Sequence, residues 1–334
     1  MVLLKQQKEK DILEYVGVGS MNPKLFIGPM SKEIVGAVID YPAPLGLIPS
    51  RRQVDHESGY VNGWVTETFC NYVRSKTDKV LLVRDHGGPN QGYKVDNGIE
   101  SFLIDCQNFD MIHIDPFKRF KAIKDAVNET LKFMRMGLQV NPNIKFEIAT
   151  EEAIKPLPPE KLSSFLKRIY SSTTQEEQDS IKYCVIQSGT ALRENKNIGS
   201  YKKDCLEKSI EIVKEYGLIN KEHNGDYLET SLIKQKFDVG LQTINIAPEF
   251  GQLQTKIYWE NMNQKQRTNF YKICLDSGRW KKWVDEDFDP EVDVEALVNI
   301  CGHYVFSHPK FNRPEGLEEE IKTTIHKRID EILL

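Results

Sequence analysis

The sequence predicts an α/β chain folded as a closed (β/α)8 TIM barrel with a mainly helical C-terminal elaboration. Three observations lead there. Short apolar runs recur along the chain, each followed by turn residues and then by a helical pattern, the alternation of a parallel sheet with crossover helices. At least seven such strand candidates follow one another, which favours a closed barrel over a doubly wound sheet. No GxGxxG follows the first of them, as a dinucleotide-binding sheet would require. A chain of 334 residues is long for one core but ordinary for one barrel.

Taken in order, strands are expected at "LFIGPM" (25–30), "LGLIP" (45–49), "VLLVRD" (80–85), "MIHID" (111–115), "IKFEIAT" (144–150), "YCVIQSG" (183–189) and "VGLQTINIA" (239–247). Val61, Val65, Phe69, Tyr72 and Val73 form one helical stripe; Leu206, Ile210 and Val213 form another, ended by Tyr216 and a glycine cap at Gly217. Beyond about residue 255 the rhythm fails and the chain turns mainly helical, with no eighth strand placed. The last helix is marked by Leu317, Ile321, Ile325, Ile329 and Leu333, repeating every fourth residue. One domain is therefore expected over 1–334: an N-terminal extension (1–24), a barrel core (25–255) and a helical C-terminal part (256–334).

Composition narrows the partners. Lys and Arg number 45 against 49 Asp and Glu, so no basic excess advertises nucleic acid or an anionic membrane surface. The six cysteines are scattered without a CxxC, the start "MVLLKQQKEK" lacks a signal-peptide pattern, and no apolar run approaches the ~20 residues of a membrane span. These features point to a cytoplasmic protein with free thiols and a small-molecule partner. The acidic "DEDFDPEVDVE" stretch is most simply a solvated surface, and His303 and His308 are expected on an outer helix.

In a parallel barrel the active site forms at the C-terminal ends of the strands, so polar residues there are candidates for chemistry. The 80–85 strand runs into Asp85 and His86. His113 and Asp115 share a face of the next strand by the period of two, as do Glu147 and Glu151 around Ala149. Thr243, Asn245, Ala247 and Glu249 make a small polar face opposite an apolar one. Imidazoles and carboxylates at strand ends suit a divalent metal, zinc first, that holds a hydroxyketone and polarises its carbonyl while a nearby carboxylate moves the proton. His86, His113, Asp115 and Glu151 are the candidate ligands; Asp85 and Glu151 are the candidate catalytic groups. Glu147 lies deeper and is expected to pair with a lysine or arginine. Arg51 and Arg52 are positioned as an anion clamp, with Gln53, Ser188, Arg193, Asn197, Asn245 and Glu249 completing a candidate substrate-binding set.

The motifs "RRQVDHESGYVNGW", "VRDHGGPN", "IHID", "IATEE" and "NIAPEFG", in that order over Leu25 to Gly251, resemble the tagatose-bisphosphate aldolase Z-type subunit family. The resemblance implies a TIM barrel like that of class II, metal-dependent aldolases. It carries over Gln53, Gly59, Tyr60, Asp85, His86, His113, Asp115, Glu151, Pro248 and Glu249. Such aldolases use an Asp-His pair at the Asp85-His86 position as acid/base and metal ligand. The chain departs from the family in Arg51-Arg52, in the extra segment "IQSGTALRENKNIGS", and in lacking a His-Ser-Thr-Asp stretch after the strand counted as seventh.

Three functions follow as expectations. The first is an aldolase making or cleaving a carbon–carbon bond in a phosphorylated or nucleotide-linked sugar. The second is a non-catalytic subunit that stabilises an aldolase partner, as Z-type subunits are often regarded; the third is a sugar isomerase or epimerase using the same enediolate chemistry. The chain is expected to work as a homo-oligomer or beside an aldolase partner subunit.

Overall fold

The computed structural model describes residues 22–117, 119–149 and 158–333. Eight strands close into a parallel barrel whose neighbours follow chain order, the last pairing with the first. The elements are β1 (Leu25–Ile27), α1 (Lys32–Asp40), β2 (Leu45–Leu47), α2 (Thr66–Arg74), β3 (Val80–Gly87), α3 (Ile99–Asn108), β4 (Met111–Ile114) and α4 (Ile123–Val140), followed by β5 (Lys145–Ala149), α5 (Pro159–Tyr170), α6 (Gln175–Ser180), β6 (Ile181–Ile186) and α7 (Lys203–Glu215). The chain then runs through β7 (Ile219–Glu222), α8 (Thr230–Val239), β8 (Thr243–Ile246), α9 (Pro248–Asn261), α10 (Gln264–Ser277), α11 (Val294–Val305) and α12 (Glu318–Leu333). A small hairpin, Leu192–Arg193 with Lys196–Asn197, interrupts the loop after β6.

All seven expected strands are present, and the missing eighth is β7. It lies between two helices rather than beyond residue 255, so the strand expected at 239–247 is the eighth, starting at Thr243 after Gly240 (φ +117°) ends α8. The sequence hides β7 because its centre is polar. Lys221 and Glu222 are fully buried but each is paired, Lys221 with Glu147 and Glu222 with Lys236. A strand whose charges are matched inside the fold needs no apolar run.

Two apolar layers hold the barrel. Phe26, Ile48, Leu81, Val83, Met111 and Tyr183 fill its interior, and a larger core lies between strands and helices, buried on β3 through Val80 and Leu82. The alternation continues upward from Leu81 and Val83 to Asp85, so the same inward register that packs the floor delivers polar groups to the mouth. The predicted last helix is α12; its Ile321, Ile325 and Ile329 are buried. It packs on α1, with the Tyr41 hydroxyl donating to Asp330 (2.6 Å) and His326 bonded to the Ala37 carbonyl (2.8 Å), and so closes the helical ring. The helix α11 packs on α9, and α10 packs on α11.

Candidate metal centre and active site

The β3 end solves a geometric problem. Consecutive strand residues point to opposite faces, yet Asp85 and His86 both contribute to one cluster. The chain achieves this by a register break between Arg84 and Gly87, with His86 in the left-handed region at φ +50°. Asp85 is still tied to the sheet, its N–H donating to the Pro49 carbonyl (3.1 Å), while the next residue swings its imidazole back over the mouth. Such a conformation in a non-glycine residue costs on the order of 1–3 kcal/mol and is found where function over-determines it.

His113 enters from β4 and His223 from the end of β7. One ligand atom from each of Asp85, His86, His113 and His223 lies within 4.8 Å of the others. Each imidazole is held by its far nitrogen. His86 Nδ1 meets Asp115 Oδ2 (3.1 Å), His113 Nε2 meets the Ala149 carbonyl (3.2 Å), and His223 Nε2 meets Glu147 Oε1 (2.7 Å). A carbonyl only accepts, so His113 Nε2 carries the proton and Nδ1 is the bare acceptor; carboxylates impose the same choice on the other two rings. The opposite nitrogens face Asp85, with His86 Nε2 3.5 Å, His113 Nδ1 3.7 Å and His223 Nδ1 3.8 Å from its oxygens. His113 Nδ1 and Asp85 Oδ1 are buried with no hydrogen-bond partner. A buried imidazole nitrogen and a buried carboxylate oxygen that face each other without a donor are what a divalent cation satisfies, and anchored imidazoles are the usual support of metal ligands. The residues fit a metal.

Electrostatics agree with that support. Burial pushes the Asp85 carboxyl up, but positive charge in the space it shares with His86, His113 and His223, the space a cation would fill, outweighs it and holds the group well below the usual carboxylate range. Burial likewise opposes ionisation of Glu147; the Lys221 ammonium and the His223 hydrogen bond bring it down to about 2. Lys221 Nζ lies 2.7 Å from Glu147 Oε2 and 3.7 Å from the Phe26 ring centroid, so its charge is shared between a carboxylate and a π-face inside the barrel.

The structure places the sequence candidates as follows. Asp85, His86 and His113 meet. Asp115 stands behind His86, orienting the ring instead of joining the four-residue cluster, a correction to its assignment as a ligand. Glu151 lies outside the described residues. Glu147 is paired with Lys221, as its depth suggested, and also with His223.

Arg51 does not serve as an open anion clamp. It is buried, its guanidinium bonded to Asp55 (3.0 Å), Asp96 (2.6 Å) and the Gly88 carbonyl (3.0 Å), so that it ties the loops after β2 and β3 together. Arg52 stays exposed. Gln53 accepts from the Ser50 N–H (2.7 Å), and Ser188 and Lys236 share the Glu222 carboxylate. Arg193 pairs with Asp285, and Asn197 donates to the Asn224 and Asp226 carbonyls, bracing the hairpin loop. Glu249 accepts from Arg328 (2.5 Å) and the Tyr227 N–H (2.6 Å). Asn245 Oδ1 is buried without a partner. These polar groups mostly serve the scaffold because the rim loops must satisfy their own donors and acceptors.

His223 and Lys221 were missed with their strand. The available signal was rhythm: a helix capped at Gly217, then "LINKEH", then another helix, leaves room for one strand only. His223-Asn224-Gly225-Asp226 therefore stands directly after the seventh strand. His303 lies on α11, buried against Gly251 of α9, while His308 is exposed.

No protein-family model matches the chain, and no curated protein matches it. Solved structures do. A probable tagatose 6 phosphate kinase from Sinorhizobium meliloti 1021 is similar over 93% of this chain and 88% of its own, with a TM-score of 0.72 and 15% identity. Fructose-bisphosphate aldolase from Campylobacter jejuni covers 97% of this chain and 93% of its own (TM-score 0.56, 12% identity). Fructuronate-tagaturonate epimerase UxaE from Cohnella laeviribosi covers 93% and 78% (TM-score 0.55, 12% identity). At such identities the likeness establishes the fold alone, a TIM barrel. Among the described residues, no helix is long and apolar enough to cross a membrane.

Proposed function

We propose that the chain is a metal-dependent, class II aldolase-like enzyme that makes or cleaves a carbon–carbon bond in a phosphorylated or nucleotide-linked sugar. One observation carries this reading: three imidazoles, each anchored by its far nitrogen, converge with Asp85 at the C-terminal mouth of the barrel. His86, His113 and His223 would hold the divalent ion, zinc first. When bound it supplies Lewis acidity that polarises the carbonyl of a hydroxyketone.

The chain's own residues do the rest. Asp115, Glu147 and the Ala149 carbonyl fix the imidazole tautomers and so keep the acceptor nitrogens pointed at one place. Asp85 is within reach of the same place. In the bond-making direction Oδ1 takes a proton from the carbon beside the substrate carbonyl, and that carbon's electron pair forms the new bond to an aldehyde carbon. The alkoxide left on the former aldehyde oxygen takes the proton back from Asp85, while cleavage runs the same transfers in reverse. Arg52 is the sequence-expected anion-binding arginine that stays exposed at the mouth.

The convergence of the set favours catalysis over a purely stabilising subunit, since a stabiliser has no need of three anchored imidazoles. Metal analysis of purified protein, with incubation against a panel of phosphorylated ketoses in deuterated water, tests the reading. Release of an aldehyde and a ketone fragment from metal-replete protein supports an aldolase. Conversion of a ketose to its isomer or epimer without fragments would replace it with the isomerase or epimerase, and inert protein that activates an aldolase partner would replace it with the stabilising subunit. Gel filtration alone and with such a partner separates a homo-oligomer from a mixed assembly.

A further inference from the structure

A second, cationic group of side chains stands on the rim of the same mouth. Arg52 is exposed in the turn after β2, its Nε donating to the Gly92 carbonyl (3.4 Å). The next residue, Tyr93, is 48% exposed, and the Arg279 guanidinium carbon lies 4.3 Å from its ring centroid. Arg279 comes from the helical C-terminal part. It is set by Gly278, whose left-handed φ of +60° ends α10, and by its own N–H donating to Ser277 Oγ (3.2 Å). The chain is turned there so that a guanidinium reaches the loop after β3.

These two arginines differ from their neighbours. Arg51 and Arg193, on the same rim, are each matched by aspartates, whereas no carboxylate pairs with Arg52 or Arg279 among the described residues. A guanidinium stacked on an aromatic face keeps its edge N–H groups directed outward, in the fork that matches a phosphate. Ser50 bridges to Asp85 in the sheet and Arg52 follows two residues later. With adjacent strands ~4.8 Å apart and ~3.8 Å per residue, the Arg52 backbone is on the order of 10 Å from Asp85. A phosphorylated sugar chain bridges such a gap.

We propose that Arg52 and Arg279, with the Tyr93 hydroxyl, form the subsite for the substrate's phosphate, so that the C-terminal helical part contributes a substrate-binding residue to the barrel. The inference rests on the reading of the substrate as a phosphorylated or nucleotide-linked sugar. Both sources present phosphate oxygens, the one as a terminal monoester and the other as a diphosphate.

The test is calorimetric titration of the full chain with inorganic phosphate and with uridine diphosphate, for wild type, R52Q, R279Q, R279K and the R52Q/R279Q pair. Tryptophan emission is followed in parallel, since Trp280 and Trp283 lie in the turn that Arg279 begins. Each glutamine variant should weaken binding on the order of 10-fold and the pair on the order of 10²-fold, with R279K falling between wild type and R279Q. Melting temperature and metal content should stay at wild-type values. Tighter arginine-dependent binding of phosphate than of uridine diphosphate assigns the monoester, and the reverse order assigns the diphosphate. A wild type that takes neither probe, or a double variant that binds both as wild type does, overturns the subsite. Metal content and fragment release on the same preparations keep the two ideas apart: arginine-dependent binding without aldol chemistry sinks only the proposed reaction.

Discussion

Glu147→Gln tests how the barrel interior supports the site. The wild-type carboxylate is fully buried, with one oxygen 2.7 Å from His223 Nε2 and the other 2.7 Å from Lys221 Nζ. The amide is nearly the same size, so packing changes little, but Lys221 loses its counter-charge and keeps only the faces of the Phe26 and Tyr183 rings. Removing one partner of a buried ion pair costs about 3–5 kcal/mol. At roughly 1.4 °C per kcal/mol for a chain this long, the melting temperature should fall by about 4–7 °C. Metal affinity should fall about 10- to 100-fold, since the anchor of His223 is weakened.

The sign of the pH dependence is also set. The folded Glu147 group titrates at about 2 against an ordinary 4.5, so its contribution is present above 4.5 and is lost as pH falls from 4.5 towards 2. The variant lacks that portion of the acid-induced loss. Adding Lys221→Met removes the stranded ammonium and should restore most of the stability while leaving metal affinity low. Thermal melts and metal titration of the single and double variants check both halves. A double variant no more stable than Glu147→Gln would refute the charge-pair reasoning, and a single variant with wild-type metal affinity would refute the anchoring of His223.

Three further outcomes are expected. Asp85→Asn should retain the fold and the metal yet lower turnover by on the order of 10²-fold or more, because the amide cannot shuttle a proton; wild-type turnover in a metal-replete variant would remove Asp85 from proton transfer. His223→Ala should lower metal content and any activity together, and elemental analysis showing full metal occupancy would dismiss it as a ligand. Asp226 is pushed up to about 8 by burial and then by the Glu249 charge. The folded chain therefore holds a proton that the unfolded chain releases between about pH 4 and 8, stability declines across that window as pH rises, and Asp226→Asn should flatten the decline in denaturant melts; an unchanged slope would assign it to another group.

The sequence by itself determined the alternation of strands and helices, the placement of seven strands, the helical C-terminal part and the arrival of Asp85, His86 and His113 at strand ends. Those features depend on local periodicity and on the rule that a parallel barrel gathers its strand ends at one mouth, both of which a chain displays residue by residue. Tertiary structure alone decided the rest. β7 is a strand because partners distant in the chain, Glu147 and Lys236, neutralise its charges. His86 joins its neighbour Asp85 only because a left-handed turn breaks the strand's alternation. Arg51 and Arg52 are adjacent and chemically identical, yet Asp55 and Asp96 engage the first while the second is left at the rim. Residue type says what a side chain can do; which acceptors fold around it decides what it is left free to do.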